Sequence, residues 1–326
     1  MRNILFMRGW KPTMKIFKDR MKINRTVAYK LLFKEIQIKC STTQETADKY
    51  FDKFHVIIEN YLTSKGYFDI LFSHLKPISQ AINKSAKNAP VWVCWWQGES
   101  KMPPIVKVCY DRICKFAGKH PVHLVTIDNF NNYVHFDENV TRKFYNKELL
   151  PAHMADLLRL KLLDQYGGLW LDSTIYLSGP LDDKVFDYEF YSLKNDCTNH
   201  ISVSNFRWCS FVIGGMKGNA LIHALTVAFE KYIVTEECFI HYLVIDYFID
   251  MLYRKSSYVQ GLIDNLPEGG KYLHTLRLLY AQPFNKKYFD EMLADTSYFK
   301  LTYKENLILN TQKGEKTFYS VILKNK

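Results

Sequence analysis

Asp156, Arg159 and Asp172 stand close together in an otherwise largely apolar stretch, Pro151 to Leu181. A carboxylate accepts hydrogen bonds from hydroxyl groups and binds hard divalent cations, and a guanidinium offers forked donors to phosphate. Plotted at about 100° per residue, Asp156 and Arg159 fall inside the arc of Leu160, Leu163 and Tyr166. Burying charge is costly unless it is paired or used. One turn apart, the two residues fit a structural ion pair as well as a binding site. A second carboxylate, Asp172, arriving just after a glycine turn favours the site.

The elements that must hold these residues can be read from the same stretch. Residues 152–166 are strong helix formers without Gly or Pro. Gly167 and Gly168 stop the helix, since a positive φ is cheap for glycine. Residues 169–177 are apolar, β-branched or aromatic and read as one buried strand interrupted by Asp172. Upstream, residues 91–96 (VWVCWW) read as another buried strand running into Gln97 and Gly98. A helix over 105–118, a strand within 120–130 and a short helix within 137–150 follow. Alternating strands and helices predict a parallel sheet with right-handed crossovers, whose ligands bind beyond the carboxyl ends of the strands. Trp96, Gln97, Gly98 and Asp172 can therefore face one crevice. Alternation puts Trp92 and Trp96 on one face and Trp95 on the other. Core packing also accounts for the tryptophans, most directly for Trp92, and Gln97 also fits a plain turn residue.

Residues 185–195 and 208–219 read as strands, the second closing in Gly214 and Gly215, and residues 220–234 and 241–253 as helices. Asp246 lies in the second of these, among apolar neighbours. It is a candidate for acceptor contact or for a base, and equally a buried structural Asp. The end of the chain, including residues 317–324, reads as a strand or two.

Composition sets the outer bounds. Hydrophobic residues make up 48% and charged residues 24% of 326 residues, ordinary for a globular protein of one large or two ordinary domains. The seven cysteines are odd in number and lack C-x-x-C spacing, so they read as reduced residues rather than a disulfide frame or zinc site. No run of about 18 apolar residues predicts a transmembrane helix, and the apolar start is too short for a secretory signal. The net charge of +11 is concentrated in residues 1–40, which hold eleven Lys/Arg and two Asp/Glu. That segment mixes cations with Trp, Phe, Ile and Met, which suits an anionic membrane surface and equally a basic helix packed on the main domain. No motif for nucleic acid accompanies the charge. The polar residues 83–90 read as a linker, dividing a helical extension (1–88) from an α/β domain (89–326).

The run AHMADLLRLKLLDQYGGLWLDST, preceded by a Trp-x-Gly at residues 96–98, resembles the bacterial capsular polysaccharide synthesis proteins. These are similar to the family-32 glycosyltransferases and, more distantly, to the large glucosylating toxins. The resemblance covers about residues 90–180. It implies a GT-A type nucleotide-diphospho-sugar transferase fold, a mixed and mostly parallel sheet flanked by helices. It implies a glycosyltransferase, with retention of configuration, using a nucleotide-sugar donor such as a UDP-sugar and a capsular or lipid-linked glycan acceptor. Such an enzyme would work in the cytoplasm, peripheral to the inner membrane face. By resemblance Trp96 with Gln97 and Gly98 would meet the nucleobase, Asp156 the ribose or sugar, and Arg159 the sugar or diphosphate. Gly168, Asp172 and Thr174 would complete the donor site, with Asp172 holding Mn²⁺ or Mg²⁺. The related motif is Asp-x-Asp, whereas this chain has Asp172-Ser173-Thr174, which leaves Asp172 as the one metal-binding carboxylate expected there and weakens the site. Thr174 also keeps open a degenerate transferase that binds glycans or scaffolds a synthesis complex. A sugar-phosphate transferase is a further enzyme reading.

Overall fold

The computed structural model describes residues 10–76, 88–195, 200–305 and 307–325. Most of the expected linker lies outside the described residues. Four helices come first: α1 (Trp10–Ile23), α2 (Arg25–Lys39), α3 (Gln44–Ser64) and α4 (Tyr67–His74). Asn24 caps α2 by accepting from the Val27 amide, and Thr43 caps α3 from the Thr46 amide, so each helix starts where its first free N–H groups find a side chain.

The remainder runs β1 (Val91–Cys94), α5 (Pro104–Phe116), β2 (Val122–Val125), α6 (Glu138–Tyr145), α7 (Pro151–Tyr166), β3 (Gly168–Leu171), β4 (Ile175–Leu177), β5 (Phe190–Tyr191) and β6 (Val212–Gly215). Then come α8 (Ala220–Thr235), α9 (Val244–Tyr253), α10 (Ser257–Asp264), α11 (Lys286–Asp295), β7 (Tyr298–Lys300) and α12 (Phe318–Ile322). The central sheet has the order β2-β1-β3-β6-β5. Strands β1, β2 and β3 are parallel, and β6 is antiparallel to both β3 and β5, so β6 alone runs against the rest. The expected α/β class with a mostly parallel sheet flanked by helices is therefore met.

Side-chain alternation sorts the sheet's two faces. Trp92, Trp170 and Ile213 point to the face covered by α7, α8 and α9. Val91, Val93, Leu169, Leu171 and Val212 point the other way, against Ile113 of α5 and Phe186. The N-terminal helices share the first of these cores: Leu31, Phe54, Ile58 and Leu71 pack in one cluster with Leu225, Phe229 and Phe248. Arg20 is buried there, paired with Glu35 at 2.8 Å and donating to the Ile240 carbonyl at 2.9 Å.

Three expectations need correction. The apolar run 169–177 is two strands in two sheets. The Asp172 carbonyl accepts from the Ile175 amide at 2.8 Å, a tight turn that carries the chain out of the central sheet and into a small antiparallel pair, β4 with β7. Residues 185–195 yield only the two-residue β5, after a short 3-10 helix at Asp183–Phe186. Residues 317–324, aromatic and β-branched enough to read as a strand, form α12. Thr317 caps that helix by accepting from the Ser320 amide. Among the described residues no helix is long and apolar enough to cross a membrane.

Candidate functional site

Helix α7 ends as its sequence requires. Gly167 takes φ +68° and Gly168 +97°, and a side chain on Gly168 would place its Cβ 2.1 Å from the Pro90 carbonyl oxygen. The glycines thus bring β3 hard against the start of β1. Gly168 stands at the end of β3 away from Asp172, and its place is architectural. The helix is covered over most of its circumference rather than along one stripe: Met154, Leu157, Leu158, Leu160, Leu162 and Leu163 are all buried, while Tyr166 is partly exposed.

Asp156 and Arg159 are ion-paired across one helical turn, and Arg159 also donates to the Ser210 carbonyl. The guanidinium lies over the indole of Trp170, 5.3 Å from its centroid. Trp170 in turn donates from Nε1 to Asp172 at 2.9 Å. Asp172 follows the last residue of β3, and its amide donates to the Phe211 carbonyl at 2.9 Å. Its carboxylate is ion-paired with Lys300, whose Nζ also donates to Thr174 Oγ1 at 3.0 Å. Lys300 reaches this turn because Ile175 of β4 pairs with it in the antiparallel register of β4 and β7.

Asp246, in the first turn of α9, is buried and accepts from Trp208 Nε1 at 2.8 Å. It shares an electrostatic environment with Asp156 and Arg159. The structure thus gathers Asp156, Arg159, Asp172, Thr174 and Asp246 into one neighbourhood. Burial pushes the Asp246 carboxyl up to about 6, opposed by the Trp208 hydrogen bond and reinforced by the Asp156 charge. Burial likewise pushes Asp156 up to about 6, opposed by Arg159 and reinforced by Asp172. At Asp172 burial acts in the same direction, but Lys300 and then Arg159 outweigh it and hold the carboxyl below its ordinary value. Three carboxylates facing two cations explain the split: the acid with its own ammonium stays ionised, and the other two share what remains.

The strand ends meet as expected. Trp92 of β1 is opposite Trp170 of β3, so the chain after Cys94 emerges beside Asp172. The tryptophans divide between the two faces as alternation predicts, Trp92 and Trp96 on one and Trp95 on the other. Trp96 is buried, with Nε1 donating to the Pro151 carbonyl at 2.9 Å and its ring against Phe130 and Phe144. Trp95, on the opposite face, packs edge-on to Tyr303 and leaves its buried Nε1 without a partner. Gln97 is exposed, and Gly98 turns the chain at φ +82°. Two cavities, of about 250 and 420 Å³, lie away from these residues, near Tyr191 and Tyr298 and near Lys143 and Cys238. The charged cluster is a partly open crevice instead, with side-chain exposures of 28% at Asp172 and 20% at Lys300.

The expected divalent cation would have to bind at Asp172 and Thr174. Mg²⁺ and Mn²⁺ need several oxygen ligands and at least one free carboxylate. Here the Asp172 carboxylate and the Thr174 hydroxyl both face an ammonium. Among the described residues, no three His, Cys, Asp or Glu side chains gather as a metal site. As arranged, the residues do not fit the cation. Lys300 had no sequence signal: it is separated by 128 residues from Asp172 and belongs to a three-residue strand.

The chain is similar to two kinds of known protein. A segment of 102 residues is 29% identical to part of an O-glycosyltransferase, braB, of Annulohypoxylon truncatum; it spans 28% of this chain and 24% of that protein. No solved structure matches the chain. The profile of the capsular polysaccharide synthesis proteins matches residues 37–322, which include α3 to α12, both sheets and every residue of the crevice. The chain belongs to the capsular polysaccharide synthesis protein family.

Proposed function

We propose that the protein is a glycosyltransferase that moves a sugar from a nucleotide-sugar donor, of the UDP-sugar class, to a capsular or lipid-linked glycan. The observation that carries this reading is the crevice at the carboxyl ends of β1 and β3. There Asp172, Arg159 and Asp156 stand together with their charges mutually felt. Arg159 would give forked donors to the donor's diphosphate, and Asp156 would accept from ribose or sugar hydroxyls. Asp246, buried and with its carboxyl raised to about 6, is matched to proton transfer near neutral pH. A GT-A type fold and retention of configuration belong to the same proposal. Purified protein should release nucleoside diphosphate from a UDP- or GDP-sugar, and Asp172→Asn should abolish it. Release of nucleoside monophosphate would instead indicate sugar-phosphate transfer.

A second reading has an observation of its own. Arg159, Asp156 and Asp172 are all engaged with one another or with Lys300 and Ser210, as in a site retired to structural duty. A scaffold of this kind would bind glycan but no nucleotide sugar in calorimetry. Place of action is also part of the proposal. Helix α2 exposes Tyr29 and Phe33 beside Arg25 and Lys30, a surface suited to anionic lipid at the inner face of the membrane. Flotation with phosphatidylglycerol vesicles but not with phosphatidylcholine vesicles would support it; equal behaviour with both would remove it.

A further inference from the structure

Resting on the glycosyltransferase reading, we infer that Lys300 stands where related enzymes would use a divalent cation: its ammonium, gripped by Asp172 and Thr174, receives the donor's diphosphate. Four observations carry this. The ammonium bridges the first and third residues of the Asp172-Ser173-Thr174 turn, the two positions that would otherwise share a metal. The replacement of a second carboxylate by Thr174 removes a negative charge that a dication would need and a monocation does not. An ammonium has three donors, and two are used, so one remains for phosphate. The stem is also fixed in place. The Lys300 amide donates to the Leu273 carbonyl at 2.8 Å, β7 pairs in register with β4, and Nζ lies over the Phe211 ring at 5.1 Å.

The surroundings add buried polar atoms with capacity to spare. His274 feels the charges of both Lys300 and Arg277. The buried Nδ1 of His274 and the buried Nε of Arg277 have no hydrogen-bond partner. Buried polar atoms of this kind ordinarily find a partner, and an anion held by Lys300 would offer one to His274, whose neutral imidazole can carry its proton on Nδ1. Lys300 itself is 20% exposed, so it can be reached from solvent without rearrangement.

In the transfer, the acceptor oxygen forms a bond to the anomeric carbon. The bond from that carbon to the β-phosphate oxygen breaks, its electron pair stays on the diphosphate, and the acceptor's proton ends on the released diphosphate. Lys300 stabilises the charge that develops on the leaving oxygen. No redox partner is needed, and the glycan acceptor is the only co-substrate. One positive charge replaces two, so the diphosphate is held less tightly than by a metal, but it is held without one.

The test is calorimetry of UDP, GDP and uridine binding to the full chain, in EDTA and in Mn²⁺. It is run on the parent, Lys300→Met and Lys300→Arg, each checked for an unchanged melting profile. The expected result is UDP or GDP binding in EDTA that Mn²⁺ improves little. Lys300→Met should weaken it about tenfold or more, Lys300→Arg should retain most of it, and uridine binding should be the same in all three. Diphosphate binding that appears only with Mn²⁺ and survives Lys300→Met overturns this assignment and leaves the glycosyltransferase reading standing. Failure of UDP and GDP to bind under any condition overturns both. If Lys300→Met does not fold, Lys300→Arg and the EDTA comparison on the parent still decide.

Discussion

Gly168 and Asp172, at one end of β3 and just past the other, are about 13 Å apart at the ordinary rise of a strand, and their surroundings are opposite in kind. At one end Gly168 sits where no side chain fits, 2.1 Å in prospect from the Pro90 carbonyl, and its task is close packing of the sheet. At the other, Asp172 is partly open, tied to Trp170 and Lys300, and coupled to Arg159. The first end contributes to stability, and on the proposed function the second contributes to chemistry. Both are signalled by the same short motif, and only the geometry separates them.

The comparison breaks first at the glycine. Gly168→Ala forces a Cβ into backbone at a positive φ, and the cost should be about 4 kcal/mol or more in urea unfolding. A loss below about 1 kcal/mol would mean the two ends are not specialised in this way. Asp172→Asn should do the reverse. Donor turnover should fall by about 100-fold or more, while the unfolding midpoint moves far less than for Gly168→Ala. Turnover within a few-fold of the parent would remove Asp172 from the reaction.

A smaller effect tests the buried acids. An acid whose folded pKa of about 6 exceeds its unfolded value binds more protons when folded, between about pH 4 and 6. Its contribution to stability therefore falls as pH rises through that window and is level above it. Asp246→Asn keeps an acceptor for Trp208 and removes the penalised charge. It should be more stable than the parent at pH 7.5 by about 2–3 kcal/mol, with the gain shrinking at pH 5. A gain that grows on acidification would contradict the assigned direction. Smallest is Trp96→Phe, which loses the hydrogen bond to Pro151 and about 1 kcal/mol. Unchanged UDP affinity would leave Trp96 to the core; a tenfold drop would give it the nucleobase.

How much was visible in the sequence follows from how local each signal is. Helix α7, its glycine stop, β3 and Asp172 were legible because propensity, capping and periodicity act over a few residues. Asp156 and Arg159 announced themselves by charge on a helix made mostly of leucine. The split at Asp172-Ser173-Thr174 was hidden, since β3 and β4 are equally apolar and only the turn's hydrogen bond separates them. Helix α12 was misread because Phe, Tyr, Val and Ile favour strands, while Thr317 at its start held the opposite clue. Lys300 was out of reach, because a partner 128 residues away is chosen by tertiary pairing and not by neighbours. Buried charge alone does not mark a site: Arg20 and Glu35 form a buried ion pair between N-terminal helices, whereas the crevice sets Asp156, Asp172 and Asp246 against Arg159 and Lys300.

The Ile175 to Lys300 pairing has a consequence for how the molecule is made. The pairings of β1 with β2 and with β3 join residues made well before Lys300, so they can form while the chain is still being synthesised. The crevice, by contrast, waits for β7. At about 5–20 residues per second, the interval between Asp172 and Lys300 leaves an emerging chain several seconds with an unpaired carboxylate and an exposed strand edge at β4. During those seconds Asp172 lacks its ammonium partner and β4 its antiparallel neighbour, and the last strand to arrive supplies both at once.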